Sequence, residues 1–331
     1  MAFKDIAGNS RVKRILKLAL ERDRTPNSLL FCGPAGIGKR QTALTLAKAL
    51  NCRELTDDSC DRCPSCLAID EGRHPDVMEI ETRAGKQALA IDQIRLMKQA
   101  AYLRPMTARR RVFILADAEE MSADAANSLL KVLEEPPLFS HIVLVTPSPF
   151  LLLPTIVSRC QTLAFSAISN EEIGRILADH DYPEDRARIL SLLVDGNLER
   201  ALELEWEEVQ ALKEGSWRLF ESLVTGRQPQ LFLERFGSLA KSAQEEFEQT
   251  LELFASFARD VLLLGVGGEA RFLLNPDLEP RLREAAATLV VPRAAALLAE
   301  IDFALSGLSR NLNKNLLAAT FYSNVGELSH A

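Results

Sequence analysis

Short apolar runs punctuate the first half of the chain, and helical spacing fills the intervals between them. Leu29–Cys32 ends at Gly33, and Lys39–Leu50 follows with Leu44, Ala47 and Leu50 at helical intervals. Val77–Ile80 precedes a helical stretch at Ile91–Leu103, with Ile94, Met97 and Ala101 on one face. Val112–Leu115 and Ile142–Val145 are apolar at consecutive positions, the pattern of parallel strands covered on both faces. Between them, Ser122–Glu134 reads as a helix capped by Ser122, stopped by Pro136-Pro137, and packed on the sheet through Ala126, Leu129, Leu130 and Leu133. A last short strand is expected at Thr162–Phe165. Strands separated by helices predict right-handed βαβ units around a mostly parallel sheet.

After about Ser166 the strand signals vanish. Asn170–His180 and Arg186–Val194 read as short helices, closed by the C-cap signal Asp195-Gly196-Asn197. Longer helices follow Trp206, with breaks at Gly226–Pro229, Gly265–Gly268, Asn275–Pro280 and Pro292. The pattern predicts an α/β domain over 1–165, a small helical domain over 166–205 and a larger helical domain over 206–331.

Composition adds mainly exclusions. The 331 residues are 47% hydrophobic and 26% charged, the balance of a globular protein with room for two or three domains. Lys plus Arg number 39 and Asp plus Glu 46, a formal charge of −7, which excludes a uniformly basic DNA-coating protein. The first residues carry no secretory signal, and no stretch offers the ~18 uninterrupted apolar residues of a membrane span. Six cysteines, three of them within Cys60–Cys66, are too unevenly placed for a secreted disulfide framework. A cytoplasmic protein without a membrane role is expected.

Two motifs carry chemistry. Gly33-Pro34-Ala35-Gly36-Ile37-Gly38-Lys39 lies between a predicted strand and a predicted helix, the context of a phosphate-binding loop. Gly33, Gly36 and Gly38 let backbone N–H groups wrap a phosphate, and Lys39 supplies a charge to the terminal phosphates of ATP or ADP. Arg40 stands where a magnesium-binding hydroxyl belongs, and Thr42 is about 200° further round the helix. After Val112–Leu115, Asp117 is the candidate metal-side acid, while Ala118 takes the place of a water-activating base and can hold no proton. The site is therefore a degenerate nucleotide site, and two separate losses argue against hydrolysis. Without a ligand, the same residues form a Gly-rich strand–helix turn.

Cys52, Cys60, Cys63 and Cys66 read C-x7-C-x2-C-x2-C over a knuckle at 52–66. Four thiolates satisfy tetrahedral Zn2+ and leave no open position, which makes the expected zinc structural. Cys32 and Cys160 read as small buried residues.

Taken in order, these residues resemble the clamp-loader subunits of bacterial replicative DNA polymerase, within the AAA+ superfamily. The resemblance rests on Asp5-Ile6-Ala7-Gly8-Asn9, the phosphate loop, the four-cysteine insertion and His74-Pro75-Asp76. It continues through the segment from Asn127-Ser128-Leu129-Leu130-Lys131 to Glu134-Glu135-Pro136-Pro137, and Ser158-Arg159-Cys160. It is dense over 1–165, thin to about 205 and weak beyond. It implies an AAA+ P-loop parallel-sheet domain, a helical lid at 166–205 and an all-α oligomerisation collar at 206–331.

Within that family, Arg40 and Ala118 depart from the ATP-hydrolysing motors, and Glu199 stands where the motors' lid motif places Arg. The departures resemble the non-hydrolysing stator rather than a gamma/tau motor, which remains the alternative. The resemblance implies that Arg159 is an arginine finger reaching a neighbour's nucleotide in trans, and that Thr146 is the sensor position. The implied partners are the motor (gamma/tau) and delta subunits, with the sliding clamp and primer–template DNA engaged through the assembly. Among the remaining features, Arg109-Arg110-Arg111 reads as a solvated strand entry and His74 as a loop-fixing residue. The stripe at Leu251, Phe254, Phe257 and Leu262 reads as helical core.

Overall fold

All five expected strand segments form strands, and the three central ones, Ser28–Cys32, Arg111–Leu115 and Ser140–Thr146, bury both faces. The computed structural model describes residues 1–81, 89, 91–194, 196–237, 243–309 and 312–330. Its first elements are α1 (Ser10–Glu21), β1 (Ser28–Cys32), α2 (Lys39–Asn51), α3 (Pro64–Asp70), β2 (Val77–Ile80) and α4 (Ile91–Ala101). Then come β3 (Arg111–Leu115), α5 (Ala123–Glu134), β4 (Ser140–Thr146), α6 (Pro154–Val157) and β5 (Gln161–Ala164). The strands form one parallel sheet in the order β2-β3-β4-β1-β5.

Alternation along each strand divides the core in two. Phe31, Val112, Ile114, Val143 and Val145 pack with α1 and α2 on one face. Leu30, Phe113, Leu115, Ile142 and Leu144 pack with α4, α5 and α6 on the other. This is why β3 and β4 read as unbroken apolar runs. Ser122 caps α5, its hydroxyl accepting from the Ala125 N–H at 3.2 Å. The C-terminal ends of β1, β3 and β4 deliver Gly33, Asp117 and Thr146 to one edge of the sheet, where open α/β sheets place their ligands. The Gly33 N–H donates to the Thr146 carbonyl at 3.3 Å, tying two of these strand ends together.

Three readings differ in detail. The helix expected to reach Leu103 stops at Ala101, since Pro105 biases Arg104 away from helical backbone. The Leu44, Ala47 and Leu50 stripe is only part of the buried surface of α2, whose Ala43, Leu46 and Lys48 are buried as well. Arg111 is not solvated. It is buried at 6% exposure and paired with Asp76 at 2.8 Å.

The remaining helices are α7 (Asn170–Asp179), α8 (Glu184–Leu193), α9 (Leu198–Glu203), α10 (Trp206–Thr225) and α11 (Gln230–Phe236). They are followed by α12 (Ala243–Gly265), α13 (Glu279–Thr288), α14 (Val291–Ser309) and α15 (Lys314–His330). The chain divides into two compact units, one of residues 1–172 with 196–200 and one of 173–195 with 201–331. Residues 166–205 thus contribute to both. Aspartate 195, part of the expected C-cap, lies outside the described residues, and Gly196 has the left-handed φ of 79° that such a cap uses.

The second unit is held by aromatic packing. Trp217 meets Phe257 edge-on at 5.2 Å, Phe220 meets Phe254 at 5.6 Å, and Phe232 packs on Phe236 and Phe321. Such pairs add ~0.5–1.5 kcal/mol each beyond burial. Leu251, Phe254 and Phe257 are fully buried as expected, while Leu262 is half-buried. Among the described residues, no helix is long and apolar enough to cross a membrane.

Candidate nucleotide site, cysteine centre and Arg159

The phosphate loop is built by glycines in conformations that side chains resist. Gly36 has φ 64°, and a Cβ there would stand 1.7 Å from Asn197 Oδ1. A Cβ on Gly33 would stand 2.3 Å from the Phe165 carbonyl oxygen. Gly38 turns the chain into α2 at φ 83°. No acceptor among the described residues pairs with the N–H groups of Gly36, Ile37, Gly38 or Lys39. Unpaired amides converging on a helix N-terminus fit a bound phosphate.

Lys39 is 7% exposed, and its ammonium rests on the Gly33 and Pro34 carbonyls. Burial lowers its pKa, against the upward pull of Glu119, Cys32 and Asp117. The next residue departs from a metal-binding loop. The Arg40 guanidinium is ion-paired with Glu79 and Glu81 at the end of β2, and Glu79 raises its already high pKa. Thr42 is fully buried and donates its hydroxyl to the Gly38 carbonyl at 2.7 Å, so it braces the loop instead of lining it.

Asp117 is exposed, with a left-handed φ of 53°, and opens a single 3-10 turn, Ala118–Glu120. Ala118 is buried and brings no polar group. The turn makes Glu119 the carboxylate with the strongest electrostatic hold on Lys39. Burial raises the Glu119 pKa against the pull of the Thr146 hydroxyl, and its Oε2 is buried without a partner. In sequence Glu119 lies beyond the strand end. Only the tolerance of Asp for left-handed backbone hinted that the chain turns back there.

The four cysteines come together, with their Sγ atoms all within 4.8 Å of one another. Cys52 caps the C-terminus of α2, Cys63 is the N-cap of α3, and Pro64 fixes that helix start. The Cys63 N–H donates to Cys60 Sγ and the Leu55 N–H to Cys52 Sγ, each at 3.3 Å. Four converging sulfurs braced by N–H donors fit one tetrahedral ion. The knuckle is docked on α2 by Lys48, whose fully buried ammonium meets Asp61 at 2.6 Å and Asp70 at 2.9 Å. Burial pushes the Asp61 carboxyl up, but hydrogen bonds led by Lys48 hold it at about 2.

His74-Pro75-Asp76 is architectural. His74 joins Ser65 at 3.2 Å through Nε2 and accepts the Asp76 N–H through Nδ1 at 3.1 Å. Asp76 accepts from the N–H groups of Met106, Thr107 and Ala108 as well as from Arg111. These bonds outweigh burial and hold its carboxyl well below the usual carboxylate range.

Arg159 follows α6. Its Nε donates to Glu134 Oε1 at 2.7 Å, and its Nη1 donates to the Thr155 carbonyl at 2.9 Å. The neighbouring Cys160 is pushed up by burial to about 12, which leaves an inert thiol.

A parallel sheet with a Gly-rich loop between β1 and α2, followed by a run of helices, defines a P-loop α/β protein. A family model described as DNA polymerase III, delta subunit, matches residues 8–169. The chain is 32% identical over 279 residues to DNA polymerase III subunit delta' of Bacillus subtilis, covering 83% of each chain. It is 31% identical over 252 residues to subunit tau of the same organism, covering 74% of this chain and 44% of that one. Among solved structures, it is similar to the Bacillus subtilis clamp loader delta protein at 12% identity and TM-score 0.36, over 95% of this chain and 99% of that one. The chain belongs to the DNA polymerase III subunit delta' family and is a clamp-loader subunit.

Proposed function

We propose that the chain is the delta-prime-type stator of the clamp loader, a non-hydrolysing subunit that helps load the sliding clamp onto primed DNA in the cytoplasm. The observation that carries this reading is Arg40, anchored to Glu79 and Glu81 at the position where a motor holds its magnesium. Ala118 supports it, since no base stands at that place. Residues 1–165 serve as the AAA+ module, 166–205 as the lid and 206–331 as the collar that joins motor (gamma/tau) and delta subunits. Nucleotide sits at Gly33, Gly36, Gly38 and Lys39 as a static ligand, its phosphates on the free loop amides. Zn2+ is held by Cys52, Cys60, Cys63 and Cys66 and keeps the knuckle folded.

Arg159 is the arginine finger, given in trans to the phosphate bound by a neighbouring motor. A guanidinium placed so in other phosphoryl-transfer systems raises rates by ~10³–10⁵. DNA is engaged through the assembly, in keeping with a net charge of −7. Glu119, whose charge pulls on Lys39, favours one other reading, an ATP-hydrolysing gamma/tau-type motor that uses this carboxylate as base. ATP turnover by the purified protein decides between them. The stator reading expects essentially none, and sustained turnover abolished by Glu119→Gln contradicts it.

A further inference from the structure

The residue after Lys39 points to a change in what this loop binds. We propose that the Arg40 guanidinium is the fixed cation of the phosphate site, so that nucleotide phosphate binds here without a divalent metal. The inference rests on nucleotide occupying the loop and adds to that reading which counter-charge it needs.

Three observations carry it. Arg40 is the second residue of α2, one position past Lys39, so its charge enters at the same helix N-terminus as the free loop amides. Its guanidinium is already paired with Glu79 and Glu81, and Asp117 adds a longer-range pull on it. These are hard oxygen donors of the kind that hold magnesium in a phosphate site. Here they are spent on a side chain whose charge is permanent. A magnesium ion entering this corner meets that charge and finds Glu79 and Glu81 already engaged.

The remaining hydroxyl cannot replace the missing one. Thr42 is buried and donates to Gly38. The positive charge that a phosphate meets is therefore carried by the protein, as Lys39 and Arg40. Arg40 is half exposed, with room to turn a donor toward a ligand while it keeps a carboxylate.

The test is equilibrium binding of a fluorescent ADP analogue to the full-length protein, with magnesium and with a chelator in its place. The wild type is expected to bind equally in both, within about twofold. Arg40→Thr, which restores a hydroxyl and frees the carboxylates, is expected to bind at least roughly tenfold more tightly with magnesium than with chelator. Arg40→Lys keeps a charge and is expected to stay metal-independent. Wild-type binding that weakens roughly tenfold or more in chelator overturns the inference while leaving the nucleotide reading intact. Absence of wild-type binding in both conditions overturns the nucleotide reading, and the inference with it. If Arg40→Thr does not fold, the wild-type comparison decides by itself.

Discussion

Glu134 and Arg159 lie 25 residues apart and meet on the surface of the first unit, Nε to Oε1 at 2.7 Å. Glu134 is the last residue of α5 and Arg159 follows the short α6, so each stands at the end of its helix. The pair is partly exposed, and such pairs contribute ~0–1 kcal/mol. If Arg159 is the proposed finger, the pair's role is to aim the guanidinium. Glu134→Ala is therefore expected to leave the denaturant midpoint nearly unchanged. In a reconstituted complex it is expected to lower DNA-stimulated ATPase by a smaller factor than Arg159→Ala. Equal losses would show that Glu134 acts in some way other than positioning.

Asp76 and Arg111 make the opposite kind of pair, both buried and at 2.8 Å. Breaking a buried pair from one side costs about 3–5 kcal/mol, so Asp76→Asn should lose that much in a urea melt at neutral pH. The folded-state pKa of Asp76 lies below the unfolded value of about 3.9, so its contribution is complete above that pH and disappears as pH falls below it. The difference between wild type and Asp76→Asn should therefore shrink in acid. A gap that widens below pH ~4 contradicts this assignment.

Metal analysis should find one zinc per chain, removed in Cys63→Ser. The loss should also loosen α2, because buried Lys48 relies on Asp61 of the knuckle and Asp70 of α3. Amide exchange across α2 is expected to rise when zinc is stripped. Unchanged protection there would mean that the knuckle is energetically separate.

Ser122 caps α5 through the Ala125 N–H. Ser122→Ala should cost ~1 kcal/mol by thermal melt, and Ser122→Asp should restore most of it. Equal stability of all three proteins would remove the cap from the account.

Periodicity located every strand of the sheet, most plainly β3 and β4, which bury both faces and leave an unbroken apolar run, whereas β2 and β5 are partly exposed. Val112–Leu115 and Ile142–Val145 needed no partner to be recognised. The four cysteines were equally legible, since spacing alone brings two C-x-x-C turns to one point. Burial of charge was not. Arg111 looked like the end of a basic run, and only the fold brings it to Asp76, 35 residues away. Lys48 lies on a helix whose apolar stripe omits it, and the knuckle covers it. Glu119 was hidden for a third reason. Its electrostatic hold on Lys39 depends on a turn opened by one left-handed residue, Asp117, and a single backbone torsion leaves no periodic signal.

Arg159→Ala in a clamp loader reconstituted with motor and delta subunits tests the central claim most directly. Assembly should remain intact by gel filtration, while DNA-stimulated ATP turnover by the neighbouring motor falls by ~10²-fold or more. Turnover equal to wild type in an intact assembly would contradict the arginine-finger role.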